Sequence, residues 1–230
     1  HKLALKADGS VWAWGFNFYG LGNGGMSSST PVLVTGLTAG VTAVAANFNH
    51  SLALKSDGTV WAWGWNGNGQ LGDGTTTNRS LPVQVINLAG VTGIAAGNFH
   101  SMAVKSDGTV WAWGSNNYGQ SGDEGSLANK LAPFRVPVLQ GMTAVAANGE
   151  FSMAVKSDGT AWGWGRNSWG QLGIGSAFRS AGVSMPVVGL GGIAGVACGT
   201  MHTLAFFREK QNHAPVATAQ SVTTAEDTAK

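Results

Sequence analysis

Residues His50–Gly74 read HSLALKSDGTVWAWGWNGNGQLGDG, and this stretch decides the fold because it recurs along the chain. Related copies begin at His1, His100 and Phe151, and a fifth copy begins at His202 with HTLAFF. The starts at residues 1, 50, 100, 151 and 202 give a period of about 50 residues. A period of this length with short apolar runs is typical of β-propellers rather than of helical solenoids.

Every repeat contains runs that predict four short β-strands. In the second repeat, the apolar runs Leu52–Leu54 and Thr59–Trp63 flank the pair Asp57-Gly58. An Asp-Gly pair between two such runs is a strong hairpin signal, because the turn needs a residue that adopts a positive φ. A polar loop follows over Gly64–Leu81, and two more runs complete the repeat. We therefore predict an all-β chain.

The last run of each repeat is built from small residues. Its four copies are Val44–Ala46, Ile94–Ala96, Val145–Ala147 and Val196–Cys198. Strands that converge on a central axis have little room for side chains. We therefore predict that these runs form the innermost strands of the blades.

Most of the tryptophans recur in pairs of the form Trp-x-Trp, whose two members face the same side of a strand. These pairs are Trp12 and Trp14, Trp61 and Trp63, Trp111 and Trp113, and Trp162 and Trp164. We predict that they pack between neighbouring blades, where burial of one ring stabilises the fold by several kcal/mol. Trp65 and Trp169 fall where the repeats differ, so they are better candidates for a surface function.

The composition excludes several classes of protein. Only 10% of the residues are charged, against about 25% in ordinary globular chains, and the formal net charge is +2. Such a chain has no basic surface for nucleic acid. The one cysteine, Cys198, excludes a disulfide framework and a Cys-rich zinc site, and no apolar run approaches the roughly 20 residues that span a bilayer. We expect no cofactor, no metal ion and no membrane insertion.

The recurring residues invite a catalytic interpretation. His50, Ser51 and Asp57 make a Ser/His/Asp set, and the same types recur one repeat later. Active sites are usually single, whereas residues that hold a scaffold recur in every blade. We therefore expect each His to form a hydrogen bond at the start of its strand and each Asp to shape its turn. Metal binding is not expected, since the copies fall on different blades and one of them is Phe151.

The repeated unit resembles the regulator of chromosome condensation repeat family. The resemblance covers residues 1 to about 207 and rests on the pattern H-S-L-A-L-K-S-D-G-T-V-W-A-W-G-x-N-x-x-G-Q-L-G-D-G, although the first repeat lacks the Gln and reads Tyr19-Gly20-Leu21-Gly22. It implies a propeller of seven four-stranded blades, and similar repeats occur in secreted bacterial members. Four complete repeats are too few for seven blades, so we expect a four-blade arc of the larger ring. A compact closure of four blades is the less favoured alternative, since propellers have about 4 to 8 blades.

The composition changes after the repeats. Residues 1–208 are predicted to form the propeller repeats and residues 209–230 a linker and the first strand of another module. The segment Gln211–Lys230, QNHAPVATAQSVTTAEDTAK, resembles the start of the cadherin-like or immunoglobulin-like modules of large bacterial surface proteins. This resemblance implies an extracellular or cell-surface location in a bacterium.

Function in repeat scaffolds usually lies in the loops that differ between blades. Two sets of loops stand out, one before each repeat start and one after each Trp-x-Trp strand. Aromatic residues with scattered charged ones make good protein-binding hot spots. The candidate partner-binding residues are Phe16, Tyr19, Phe48, Trp65, Phe99, Tyr118, Glu150, Arg166, Trp169 and Met201.

The sequence thus favours a non-catalytic binding module that recognises a protein or a glycan. One alternative is a structural spacer or adhesion stalk without a specific ligand. Nucleotide exchange on a small GTPase, the role of the family's eukaryotic founder, and an enzyme are less favoured alternatives. For an enzyme, only Glu150 with Arg166 or Arg179 breaks the repeat pattern, and no nucleophile accompanies them. An open arc would also expose apolar blade faces, so self-association is a further expectation.

Overall fold

The computed structural model describes residues 1–175 and 180–207, and in these residues the chain is all-β. The predicted linker and strand over 209–230 lie outside the described residues. The first nine strands are β1 (Lys2–Leu5), β2 (Val11–Phe16), β3 (Ser27–Leu33), β4 (Val41–Asn47), β5 (His50–Lys55), β6 (Val60–Gly64), β7 (Arg79–Gln84), β8 (Val91–Ala96) and β9 (His100–Lys105). The others are β10 (Val110–Gly114), β11 (Lys130–Arg135), β12 (Met142–Asn148), β13 (Phe151–Lys156), β14 (Ala161–Arg166), β15 (Ser180–Pro186), β16 (Ile193–Cys198) and β17 (Thr203–Phe207).

Within the described residues the strands form five antiparallel sheets in a blade arrangement. Three sheets have four strands, in the orders β4-β5-β6-β7, β8-β9-β10-β11 and β12-β13-β14-β15. The first sheet has three strands, β1-β2-β3, and the last has two, β16-β17. The predicted all-β architecture of four-stranded blades is confirmed, and the open arrangement is consistent with an arc.

The small-residue strands lie where the sequence places them, at the inside of the blades. Strands β4, β8, β12 and β16 each form one edge of a sheet and lie beside one another along the arc. Each of them pairs with the first strand of the following repeat, as Val44 does with Ala53. A blade therefore begins one strand before the sequence repeat, and each repeat supplies the inner strand of the next blade.

The Asp-Gly hairpins form as predicted. Gly58 adopts a φ of 78° between β5 and β6. The Oδ1 atom of Asp57 accepts hydrogen bonds from the backbone N–H of Thr59 at 2.9 Å and from its hydroxyl at 2.6 Å. These bonds hold the pKa of the Asp57 carboxyl below its ordinary value, the Thr59 hydroxyl having the largest effect. The aspartates thus shape turns.

In the second, third and fourth pairs, the second tryptophan packs against the preceding blade. Trp63, Trp113 and Trp164 are fully buried. Trp113, for example, lies in a cluster with Leu71 and Val85 of the blade before it. The first members of these pairs are only half-buried, so the inter-blade packing predicted for both members holds most fully for the second.

The repeated histidines join neighbouring blades. His50 Nε2 lies 3.0 Å from the hydroxyl of Ser101 in the next blade, and that hydroxyl donates to the carbonyl oxygen of Gln70 at 2.8 Å. Because the hydroxyl proton goes to Gln70, the imidazole must donate through Nε2. The same arrangement links His100, Ser152 and Gln120. The predicted hydrogen bond therefore forms, but its partner belongs to another blade.

Burial keeps these imidazoles neutral. Desolvation lowers the pKa of His50 from its ordinary value of 6.5 to about 3, with a smaller lowering caused by the nearby His100 imidazole. Desolvation alone lowers the pKa of His100 to about 3. Neither ring is exposed, and both hold neighbouring blades together through their hydrogen bonds.

Candidate interaction face

The two sets of variable loops meet at one face of the arc. In each blade the strands run antiparallel, so the turn after the first strand and the loop after the third lie at the same end. The Asp-Gly hairpins lie at the opposite end. We call the first end the loop face; it comprises the turns that precede β5, β9, β13 and β17 and the loops that follow β2, β6, β10 and β14.

Backbone hydrogen bonds hold each turn beside the loop of its own blade. The carbonyl of Asn49 accepts from the N–H of Trp65 at 2.8 Å, and the carbonyl of Glu150 accepts from the N–H of Arg166 at 2.9 Å. The carbonyl of Phe99 accepts in the same way from the N–H of Ser115. Because the bonded groups are backbone atoms, residues as different as Trp65, Ser115 and Arg166 take the same place in this frame.

Six aromatic rings form a continuous series on the loop face, which we call the aromatic strip: Phe16, Phe18, Tyr19, Trp65, Phe99 and Phe48. Successive ring centroids are 4.7, 6.3, 6.2, 5.3 and 5.3 Å apart. The rings come from three neighbouring blades. Phe16, Phe18 and Phe48 are 55, 65 and 58% exposed.

Phe18 belongs to the strip although it was not among the residues that the sequence singled out. The run Phe16-Asn17-Phe18-Tyr19 carried a signal for it, since three aromatics within four residues of a polar loop are unusual. This signal is lost when the repeats are aligned, because the other repeats have no aromatic residue at this position. The equivalent positions in the other repeats hold Gly67, Asn117 and Ser168.

Phe48 is held in a backbone conformation that non-glycine residues seldom adopt. Its φ is 30°, and its N–H donates to the Oδ1 atom of Asn47 at 2.8 Å. The Nδ2 atom of Asn47 donates to the carbonyl of Ala96 at 3.2 Å and to the Oδ1 atom of Asn148 at 3.1 Å. Asn47 therefore ties three blades together and fixes the turn that presents Phe48.

The other five predicted residues form a second group farther along the loop face. Arg166 pairs with Glu150 at 2.8 Å, and its guanidinium lies 5.1 Å from the ring centroid of Tyr118. Glu150, Arg166, Trp169 and Met201 line a cavity of about 50 Å³. Trp169 is 68% exposed and Met201 54% exposed. All ten predicted residues thus lie on the loop face, in two groups.

The carboxylate of Glu150 is engaged by Arg166, and Arg179 lies outside the described residues. In residues 1–175 and 180–207, no cluster of three or more His, Cys, Asp or Glu side chains could hold a metal ion. Burial raises the pKa of the Cys198 thiol to about 12, so that thiol stays protonated at neutral pH. The same described ranges contain no helix with the length and apolar character needed to cross a membrane.

Comparison with known proteins relates this architecture to a family. Residues 1–214 match the RCC1-like domain. The chain is 32% identical over 212 residues to the ultraviolet-B receptor UVR8 of Arabidopsis thaliana. This match covers 89% of this chain and 48% of UVR8.

Solved structures show the same fold. Yeast RCC1 (Prp20), in its complex with Kap60, matches with a TM-score of 0.78 and 24% identity over 89% of this chain and 51% of that chain. Human WBSCR16 matches with a TM-score of 0.72 and 23% identity over 89% of this chain and 56% of that one. The chain spans about half the length of these proteins. Because residues 1–214 match the RCC1-like domain, the chain belongs to the RCC1-like domain family.

Proposed function

We propose that the chain is a non-catalytic protein-binding module that engages its partner through the loop face. The observation that carries this proposal is the aromatic strip, in which Phe16 and Phe18 from one loop and Phe48 from a turn of the next blade are each more than half exposed. Contiguous exposed apolar groups are uncommon on soluble proteins and mark interaction sites.

The contrast between the two kinds of residue in each repeat supports this function. The residues that repeat, such as His100, Ser101 and Trp113, are buried and hold neighbouring blades together. The residues that differ between repeats, such as Trp65 and Ser115, begin the loops of the loop face. A rigid scaffold with variable aromatic loops is suited to binding, because rigid rings lose little entropy when a partner docks.

Relatives with a known role support a protein as the partner. UVR8 is a receptor, and Prp20 is seen bound to the protein Kap60. The complex of Prp20 with Kap60 favours a protein ligand over a glycan, and the receptor role of UVR8 favours recognition over catalysis. A structural spacer would gain nothing from a contiguous row of exposed rings, so it explains the loop face less well.

We also propose that the module acts at the surface of a bacterial cell or outside it. The support is the resemblance of residues 211–230 to the start of bacterial surface modules. The measurement is protease accessibility of the protein on intact cells, with a cytoplasmic marker as the control. Protection of the protein until the cells are lysed would contradict this location.

Site-specific photo-crosslinking tests the binding function. A benzophenone amino acid replaces Phe16 or Phe48 on the loop face, and control chains carry it at Ser56 or Ser106, which are exposed in the hairpins at the opposite end. We expect a discrete protein adduct from the loop-face positions alone. The purified partner should then bind the Phe18→Ala/Phe48→Ala variant at least tenfold more weakly. Absence of adducts, or equal adducts from the hairpin positions, contradicts the proposal.

A further inference from the structure

We call the aromatic strip between Phe18 and Phe48 the trough, because its middle rings are less exposed than the rings at its ends. Phe16 and Phe18 stand out at one end and Phe48 at the other. The rings between them, those of Tyr19, Trp65 and Phe99, are only half exposed and form the floor. The two steps along this floor, from Tyr19 to Trp65 and from Trp65 to Phe99, are 6.2 and 5.3 Å between ring centroids.

The loops around the trough carry almost no charge. Residues 17–26, 47–50, 65–78 and 97–100 contain one carboxylate, that of Asp73, and no Lys or Arg. The Asp73 side chain is 3% exposed and is occupied by Arg79 at 2.8 Å and by Asn66 and Thr75. A charged partner would lose hydration here without gaining an opposite charge. The trough therefore suits an uncharged ligand.

Two hydrogen-bond donors in the floor are free. Among the described residues, neither the indole N–H of Trp65 nor the hydroxyl of Tyr19 donates to another group, and neither is fully buried. Gly67 leaves room for the indole, since a Cβ atom there would lie within 2.9 Å of Trp65 Nε1. The floor thus presents donors beside flat apolar rings.

An extended proline-rich segment has the complementary properties. Its polyproline II backbone exposes carbonyl acceptors, lacks N–H donors at every proline, and completes a turn in about 9 Å. Aromatic-lined grooves recognise such segments through ring contacts and a few donors. We propose that the trough between Phe18 and Phe48 binds an extended, uncharged, proline-rich segment of a protein partner, with Trp65 and Tyr19 donating to its backbone carbonyls. This inference rests on the proposed binding function.

The test uses fluorescein-labelled decaproline and the whole chain, with binding followed by fluorescence anisotropy. Trp65→Phe and Tyr19→Phe each keep a ring and remove one donor, so we expect each to weaken binding about fivefold. Trp61→Phe also removes an indole N–H that has no acceptor among the described residues, but in strand β6 outside the loop-face loops, and we expect it to leave binding within about twofold. A Gly-Ser peptide of the same length should not bind.

Three results would overturn the inference: no decaproline binding up to about 1 mM, equal effects of the strip and control variants, or displacement of decaproline by maltohexaose, which would indicate a glycan site. The crosslinking experiment separates this inference from the proposed function. If loop-face adducts form while decaproline fails to bind, the protein-binding function stands and the proline-rich ligand is wrong. If both fail, both proposals are wrong.

Discussion

The carbonyl oxygen of Gln70 accepts a hydrogen bond of 2.8 Å from the indole Nε1 of Trp113, a residue of the next blade. Gln120 and Trp164 repeat this relationship at 2.9 Å. Between the first and second blades the equivalent indole is that of Trp63, and its N–H has no acceptor among the described residues. The first repeat lacks the residue that corresponds to Gln70, so the backbone carbonyl that would accept from Trp63 is missing.

This difference predicts unequal costs for the same substitution. Trp113→Phe removes a buried hydrogen bond, whereas Trp63→Phe removes an indole N–H that is already unpaired. We expect Trp113→Phe to lower the free energy of unfolding by about 1 kcal/mol more than Trp63→Phe. Chemical denaturation of both variants measures the difference, and equal losses would contradict this account of the junctions.

The buried histidines predict acid sensitivity. The pKa of His50 and of His100 is about 3 in the folded protein and 6.5 ordinarily, so between these pH values the unfolded chain binds more protons. Stability is therefore fully present above about pH 6.5 and declines toward pH 3, by about 1.4 kcal/mol per pH unit for each histidine. Denaturation at a series of pH values measures this slope.

A substitution of His100 tests whether the buried histidines cause this pH dependence of the free energy of unfolding. The fourth repeat already holds Phe151 where the others hold histidine, and that ring is fully buried. His100→Phe should therefore fold and lose about half of the pH dependence. If the slope stays unchanged in that variant, the acid sensitivity has another origin.

Asn47 predicts a link between the centre of the arc and the aromatic strip. Asn47→Ala removes the acceptor of the Phe48 N–H and the bonds to Ala96 and Asn148. We expect a loss of about 1–3 kcal/mol in the free energy of unfolding and faster hydrogen exchange at the Phe48 amide. Asn49→Ala is the control, because Asn49 bonds Trp65 through its carbonyl alone. Unchanged exchange at Phe48 in Asn47→Ala would show that the turn holds its shape without this side chain.

The exposed apolar edge of the last sheet predicts that copies of the chain associate with one another. Leu204, Phe206 and Phe207 of β17 are 62, 55 and 55% exposed, next to a cavity of about 430 Å³. An apolar sheet edge of this kind offers both backbone pairing and hydrophobic contact to another molecule. We expect the mass measured by light scattering to rise with concentration, and Leu204→Ser/Phe206→Ser to reduce the rise. Phe18→Ser, an exposed change on the loop face, is the control, and a constant mass would contradict the prediction.

The period of the sequence predicted the blades because each repeat carries its own hairpin and its own inter-blade tryptophan, as Gly58 and Trp63 do in the second repeat. It did not predict where a blade begins, since a periodic pattern has no natural starting point. The pairing of Val44 with Ala53 sets that start, and pairing across a repeat boundary is a property of the folded chain.

The position of the candidate residues in the variable loops was predictable from the sequence, but their grouping was not. Phe48, Trp65 and Phe99 all stood in variable loops, yet their contacts depend on how far neighbouring blades rotate relative to one another. Phe18 was missed because its equivalents in the other repeats are small or polar. Arg166 was a candidate for its charge, whereas the structure shows it paired with Glu150.

The one-strand offset between repeat and blade also determines how the chain could be divided. A break in the turn between β8 and β9 would leave the first piece ending in an unpaired inner strand, whose partner begins the second piece. The two pieces would share one sheet, with Ile94 in one facing Ala103 in the other. Such a chain lends itself to a split reporter, in which two fused proteins that meet restore the interrupted blade by strand pairing.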